Sequence, residues 1–380
     1  MADPADPDSF VDGALPPERP DDGRELRRGW TTGACAAAAA RAAGEALLTG
    51  RFPDPVTITL PQGQRPAFPL ARAELSDGSA IAGVTKDAGD DPDVTHGALI
   101  LATVERGAAG SGVGFRAGEG VGTVTRAGLT LAVGEPAINP GPRTQIRQAL
   151  ADAVAAAGGV DPCDFIVTVS IPGGAKLAEK TLNARLGIVG GLSVLGTSGV
   201  VVPYSCAAWI HSIHRGIDVA RAAGLRHVAA ATGSTSEAAV KSMHKLDDVA
   251  LIDMGDFVGG TLKYLRSHPV PRLTIAGGFA KLTKLAAGHL DLHSSRSRVD
   301  GDALSRLLAD VGAGDDIRAR AAAAASAGEV LQLATAAGLP LADVVARRAR
   351  DVVLATLAGG TAVDVAVFDR QGRLIGSAGP

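Results

Sequence analysis

The sequence predicts two structural classes in succession: α+β in the first half, then α/β built on a mainly parallel sheet. Three observations carry this expectation. Up to about Gly199, helix-like and strand-like stretches follow one another in no fixed rhythm. Beyond it, apolar strand, small polar loop and helix recur in consecutive units, the pattern of a parallel sheet covered on both faces. A length of 380 residues also exceeds what one hydrophobic core usually serves. We therefore expect an α+β domain over 24–199 and an α/β domain over 200–380. Residues 1–23 are rich in Asp and Pro and too poor in apolar side chains to offset ordering entropy, so they read as a disordered acidic tail.

In chain order, Thr31 or Thr32 caps a helix through the Ala-rich stretch Ala34–Leu48, and Gly50 stands where its C-terminus should turn. Strands are expected at Val56–Leu60, Ala98–Glu105 and Thr123–Val133. A helix follows from Pro142 to about Ala157, with Pro in its first turn, and a β-branched strand at Phe165–Ile171. In the second half, His227–Ala231, Val249–Asp253 and Leu273–Ala276 read as strands, each followed by a small-residue loop and a helix. Ala303 to Leu357 reads as helical with breaks at Gly312, Gly338 and Pro340. Ala362–Phe368 reads as a last strand, and Asp369–Gly372 as a turn.

Composition narrows the function classes. A net charge of -3 excludes a globally basic nucleic-acid binder. No run approaches the roughly 18 apolar residues of a membrane span, and the N-terminus lacks a secretory pattern. Cys35, Cys163 and Cys206 form no CxxC pair, which fits a reducing, cytoplasmic setting. HExxH and the Gly-x-Ser-x-Gly elbow are both missing, so we expect neither a protein-bound metal nor hydrolase chemistry.

Two regions invite chemistry. In open parallel sheets, ligands bind outside the carboxyl ends of the strands. That rule selects Thr232, Gly233, Ser234, Asp253, Asp256, Gly277 and Gly278, with Gly255 beside them. Glycine admits close backbone approach, and Asp253 or Asp256 could accept hydrogen bonds from ribose hydroxyls. The competing reading is ordinary loop and cap residues. The other region is Lys86-Asp-Ala-Gly-Asp-Asp-Pro-Asp-Val-Thr-His-Gly97, where Asp87, Asp90, Asp91, Asp93 and His96 crowd one Gly/Pro-broken segment. Neighbouring carboxylates can raise one another's pKa and so supply an acid or base; a solvated turn is the plainer alternative. Arg126 and Lys176 lie beside glycine-rich loops, at Ala117–Arg126 and Ile171–Lys176, and could meet carboxylates of an acidic ligand.

Leu26-Arg-Arg-Gly-Trp-Thr-Thr-Gly-Ala-Cys-Ala-Ala-Ala-Ala-Ala-Arg-Ala-Ala43 resembles the opening signature of the cobalt-precorrin-5B C(1)-methyltransferases of anaerobic cobalamin biosynthesis. Lys86–Gly97, Ala117–Arg126, Gly134–Pro140, Leu186–Gly199 and Gly277–Asp291 resemble further blocks of that family, in family order. The resemblance implies an N-terminal ribosomal-S5-like domain and a four-stranded, mainly parallel α/β domain. It implies methyl transfer from S-adenosyl-L-methionine to C-1 of cobalt-precorrin-5B, giving cobalt-precorrin-6A. On that reading Thr232, Gly233, Ser234, Asp253, Asp256, Gly277 and Gly278 face the methyl donor. Lys86, Asp87, Asp90, Arg126 and Lys176 face the corrinoid, and Asp91 or His96 handles any proton. The cobalt belongs to the substrate. Hand-off to neighbouring pathway enzymes is expected, with no nucleic-acid or membrane partner. The rivals are a non-catalytic corrinoid carrier and a small-molecule kinase, the latter needing nucleotide at Gly173–Lys176.

Overall fold

The computed structural model describes residues 24–159, 163–293 and 300–379; the expected tail at 1–23 lies outside them. The chain divides into two compact units, with the division between Ser212 and Ile213.

The first unit is α+β. Helix α1 (Thr32–Thr49) starts where Thr31 Oγ1 accepts the Ala34 N–H at 3.1 Å, and stops at Gly50 in the left-handed region. Its alanines from Ala34 to Ala43 are buried, which lets the helix lie close to its neighbours. A Cβ on Gly44 would come within 2.6 Å of Leu150 Cδ2 of helix α2 (Pro140–Ala156), so glycine here leaves room for that side chain at the crossing. Both helices belong with a five-stranded sheet of β1 (Arg72–Ser76), β2 (Ser79–Thr85), β3 (Leu99–Arg106), β4 (Val113–Ala117) and β5 (Phe165–Ser170). The order is β1-β2-β3-β5-β4, antiparallel throughout except for β4 with β5. Alternate residues of β5 (Phe165, Val167, Val169) are buried, the period of a strand with one face to the core.

One expectation changes here. Thr123–Val133 is a strand only at Thr123–Val124, because Gly128 and Gly134 take positive φ and turn the chain. Val56–Thr57 pairs with Ala67–Phe68, and the pairing runs on through Ile58 N–H to Pro66 O and Leu60 N–H to Gln64 O.

The second unit is α/β. Helix α3 (Cys206–Ala222) leads into it, then β6 (His227–Ala231), α4 (Ser234–His244), β7 (Leu251–Asp253), α5 (Val258–Ser267), β8 (Arg272–Gly278) and α6 (Phe279–Ala286) alternate. The expected helical stretch is four helices, α7 (Gly301–Asp310), α8 (Asp315–Ala322), α9 (Ala327–Ala336) and α10 (Leu341–Leu357). Strands β9 (Ala362–Phe368) and β10 (Leu374–Ala378) complete a sheet of order β7-β6-β8-β9-β10. The four strands β6 to β9 run parallel, as expected, and β10 adds an antiparallel edge that the sequence reading missed.

Candidate functional site

The acidic loop of the first unit begins where β2 ends. Lys86 and Asp93 are both almost fully buried and form a direct ion pair. Lys86 Nζ also donates to Thr95 Oγ1 at 2.5 Å, while Asp93 Oδ1 accepts the Thr95 N–H at 2.7 Å. Burial pushes the Asp93 carboxyl up, but Lys86 and the Thr95 donors outweigh it and hold the pKa below the ordinary value. The charge of Lys86, expected on the corrinoid side, is thus engaged within the loop.

Asp87 and Asp90 are also engaged. Arg27 grips Asp87 through two contacts, at 2.5 and 2.8 Å, and its own N–H reaches Asp90 Oδ2 at 2.8 Å. The hydrogen bonds from Arg27, opposed by partial burial, hold Asp87 at about 2. Trp30 N–H donates to Asp87 O, and Asp90 N–H to Arg27 O, so the two segments run backbone to backbone. A Cβ on Gly29 would lie 2.0 Å from Ala88 C, which explains the glycine in that close approach.

Asp91 differs from its neighbours. It is buried, and its Oδ1 accepts the Tyr204 N–H at 2.8 Å. Tyr204 itself holds φ 58°, an unfavourable region for a bulky residue. Burial, reinforced by Asp93 and opposed by Tyr204 and Lys86, raises Asp91 to about 6. That is the range in which a carboxylate exchanges protons near neutrality. His96 is half exposed, and its Nδ1 accepts the Ala88 N–H at 3.2 Å. With that acceptor role taken, the neutral ring carries its proton on Nε2.

Arg126 and Lys176 are exposed and sit on a knot of glycine loops. Gly120 O accepts the Leu192 N–H at 2.8 Å, and the Gly120 and Gly174 backbones touch. The Arg126 stem lies over Gly187. Here the glycines serve loop-on-loop packing.

In the second unit, the strand-end residues converge. Thr232 N–H donates to Ala276 O at 2.9 Å, and the Met254 and Gly255 N–H groups both reach Ala231 O at 3.1 Å. Thr232, Asp253, Asp256 and Gly277 therefore share the carboxyl edge of β6, β7 and β8. Cβ atoms added at Gly233 or Gly278 would meet nothing within 4 Å, so both positions open onto free space at helix starts. One added at Gly277 would meet Thr232 Oγ1 at 2.8 Å.

Lys281 and Lys284, one turn apart on α6, were not singled out in the sequence. Lys281 Nζ donates to Thr232 O at 3.0 Å and lies 2.9 Å from Asp256 Oδ1. That oxygen is buried and receives no well-aligned hydrogen bond, so the contact is a charge pairing rather than a directed bond. Lys284 is nearly buried, and its Nζ donates to Leu292 O at 2.8 Å. Burial, aided by Lys281 and opposed by Asp256 and Asp291, lowers its pKa.

This combination defines a mixed α/β protein with an open strand-end edge in its second unit and a buried carboxylate of raised pKa in its first. The chain belongs to the CbiD family: the CbiD model matches residues 19–203, and the CbiD C-terminal domain model matches residues 291–379. Curated relatives named cobalt-precorrin-5B C(1)-methyltransferase agree over nearly the whole length. That of Bradyrhizobium sp. is 62% identical over 93% of this chain and 94% of its own. That of Paramagnetospirillum magneticum is 60% identical over 94% and 99%. A crystal structure of a cobalamin biosynthesis protein from Archaeoglobus fulgidus is 26% identical and covers 77% of this chain and 95% of its own, with a TM-score of 0.39. No helix among the described residues is long and apolar enough to cross a membrane.

Proposed function

We propose that this chain transfers a methyl group from S-adenosyl-L-methionine to C-1 of cobalt-precorrin-5B, giving cobalt-precorrin-6A in anaerobic cobalamin biosynthesis. The observation that carries this reading is near full-length identity of 56–62% to relatives that bear that enzyme's name. When bound, S-adenosyl-L-methionine supplies an electrophilic methyl group on a sulfonium.

The second unit fits the donor. Its strand-end edge offers open space over Gly233 and Gly278, main-chain N–H groups at the starts of α4 and α6, and acidic Asp253 close by. Those N–H groups suit a carboxylate, and Asp253 suits ribose hydroxyls. Thr232, Ser234, Asp256 and Gly277 shape the same edge. The first unit takes the corrinoid. His96 presents an Nε2–H donor to an acidic ligand group, and Arg126 and Lys176 add exposed positive charge. Asp87 and Asp90 hold the Arg27 segment against the loop, and Lys86 holds Asp93. These three therefore act on a corrinoid through the loop's shape. Asp91 accepts or returns any proton, since its carboxylate is largely ionised at pH 7 yet still basic. The cobalt arrives with the substrate. A cytoplasmic location and hand-off to neighbouring pathway enzymes complete the proposal.

The test is anaerobic incubation of the purified chain with cobalt-precorrin-5B and methyl-labelled S-adenosyl-L-methionine, read by mass spectrometry. One labelled methyl at C-1, dependent on both reactants, is the expected result. Corrinoid binding without methyl gain, beside an active control enzyme, would overturn it in favour of a carrier. Asp91→Asn should lower kcat by about 10²–10⁴-fold and remove the acid limb near pH 6.

A further inference from the structure

We infer that Lys281 is the positioning residue of the donor site, holding the loops after β6 and β7 at a fixed spacing; this rests on the reading that the strand-end edge takes the donor.

The argument begins with what one ammonium joins. Lys281 is the third residue of α6, the helix that follows β8. Its Nζ reaches the carbonyl of Thr232, in the loop after β6, and the carboxylate of Asp256, in the loop after β7. Two strand-end loops and the helix after the third strand are thereby tied by a single side chain. The Asp256 oxygen in this contact is shut away from solvent. It therefore serves Lys281 as counter-ion.

A second tie supports the first. Lys284 holds Leu292 O, while Leu292 N–H donates to Asp256 O at 3.0 Å and Gly259 N–H to Leu290 O at 2.8 Å. The main chain around Asp256 is thus fixed from its far side, and the carboxylate is presented to Lys281 from a stiff support. Open space lies beside this strut at Gly233 and Gly278. A ligand seated there would feel any change in loop spacing, because binding groups displaced by about 1 Å lose much of their effect.

The test measures S-adenosylhomocysteine affinity by calorimetry on the full chain, together with steady-state kinetics and thermal melts. Lys281→Met should raise Kd and the donor KM about tenfold or more, the scale of a lost charged hydrogen bond. Saturating kcat and the corrinoid KM should change less than about threefold, by the same logic of lost ground-state binding. Lys281→Arg should recover much of the affinity. Asp256→Asn should move the same quantities in the same direction, and it serves where Lys281→Met fails to fold. Wild-type affinity in folded Lys281→Met, or a loss that tracks the melting temperature without rescue by Arg, would overturn the proposal. Gly278→Val separates it from the reading beneath. If that side chain, placed in the open space, also leaves Kd unchanged, the donor does not bind at this edge. If it weakens binding while Lys281→Met does not, the edge stands and the strut fails.

Discussion

The glycine-rich loops of the two units look alike in sequence and are built for opposite ends. In the first unit, a Cβ added at Gly120 would lie 2.0 Å from Ile171 O, at Gly174 2.4 Å from Gly120 O, and at Gly191 2.2 Å from Gly120 O. In the second, a Cβ at Gly233 or Gly278 would meet nothing within 4 Å. Charge divides the same way. Lys86 pairs with Asp93 in the first unit's interior and Arg27 with Asp87 at its surface, whereas Lys281 and Lys284 also hold main-chain carbonyls around an open edge. A glycine or charge cluster therefore announces close approach of something. Only the three-dimensional neighbours tell whether that something is the protein or a ligand.

The sharpest way to break this comparison is to remove one member of the buried pair. Lys86→Met leaves Asp93 buried without its cation and should cost about 3–5 kcal/mol of stability. Lys86→Met with Asp93→Leu should recover a large part, since no uncompensated charge remains. Urea unfolding of the single and double variants measures both. Equal losses in the two would mean that the pair does not compensate itself.

Asp91 should behave in the reverse sense. Its folded pKa of about 6 stands above the ordinary carboxylate value, so the native state binds the proton more readily than the unfolded chain. Its contribution is fully favourable below about pH 4 and is lost as pH rises through about 6. Asp91→Asn keeps an acceptor for Tyr204 N–H and removes the ionisable group. It should stabilise the protein at pH 7 by up to about 3 kcal/mol, while activity falls. The gain should shrink on going to pH 4. A pH-independent difference would show that Asp91 is not held out of its normal range.

Gly191→Ala probes the packed glycines. Its Cβ would fall on the Gly120 carbonyl, which is backbone and cannot swing aside. The expected cost is about 1–3 kcal/mol, read from the urea midpoint. A neutral substitution would mean that the loop knot yields, and that its glycines are not required for packing.

Much of this arrangement was legible in the residues. His227–Ala231 and Ala362–Phe368 were readable to the residue because short apolar, small-residue runs are bounded by clear turns. The hairpin of β1 and β2 was missed although Asp77-Gly78 marks it, with Gly78 at φ 79° between paired Ser76 and Ser79. Its first strand is an exposed edge, and Arg72, Glu74 and Ser76 show no apolar face. The acidic run was visible as chemistry, yet its division into clamp, buried pair and perturbed Asp91 depends on Arg27 and Tyr204, distant in sequence. Lys281 and Lys284 stand within Gly277–Asp291, one turn apart. Besides Asp256, their partners are the carbonyl oxygens of Thr232 and Leu292, and a main-chain acceptor leaves no mark in the side-chain pattern.

The smallest expected effect sharpens the open side of the comparison. Gly278 sits at φ -73° and ψ 153°, a conformation that alanine adopts freely, and its Cβ would meet nothing. Gly278→Ala should therefore stabilise the folded protein by roughly 0.4–1 kcal/mol, through reduced freedom of the unfolded chain. Gly191→Ala restricts the unfolded chain in the same way, so the contrast between the two isolates the effect of neighbours in the fold. A rise in melting temperature for Gly278→Ala beside a fall for Gly191→Ala would establish that one glycine keeps a space clear and the other fills a contact. If Gly278→Ala also destabilises, the edge is occupied by protein, and the donor must be sought elsewhere in the chain.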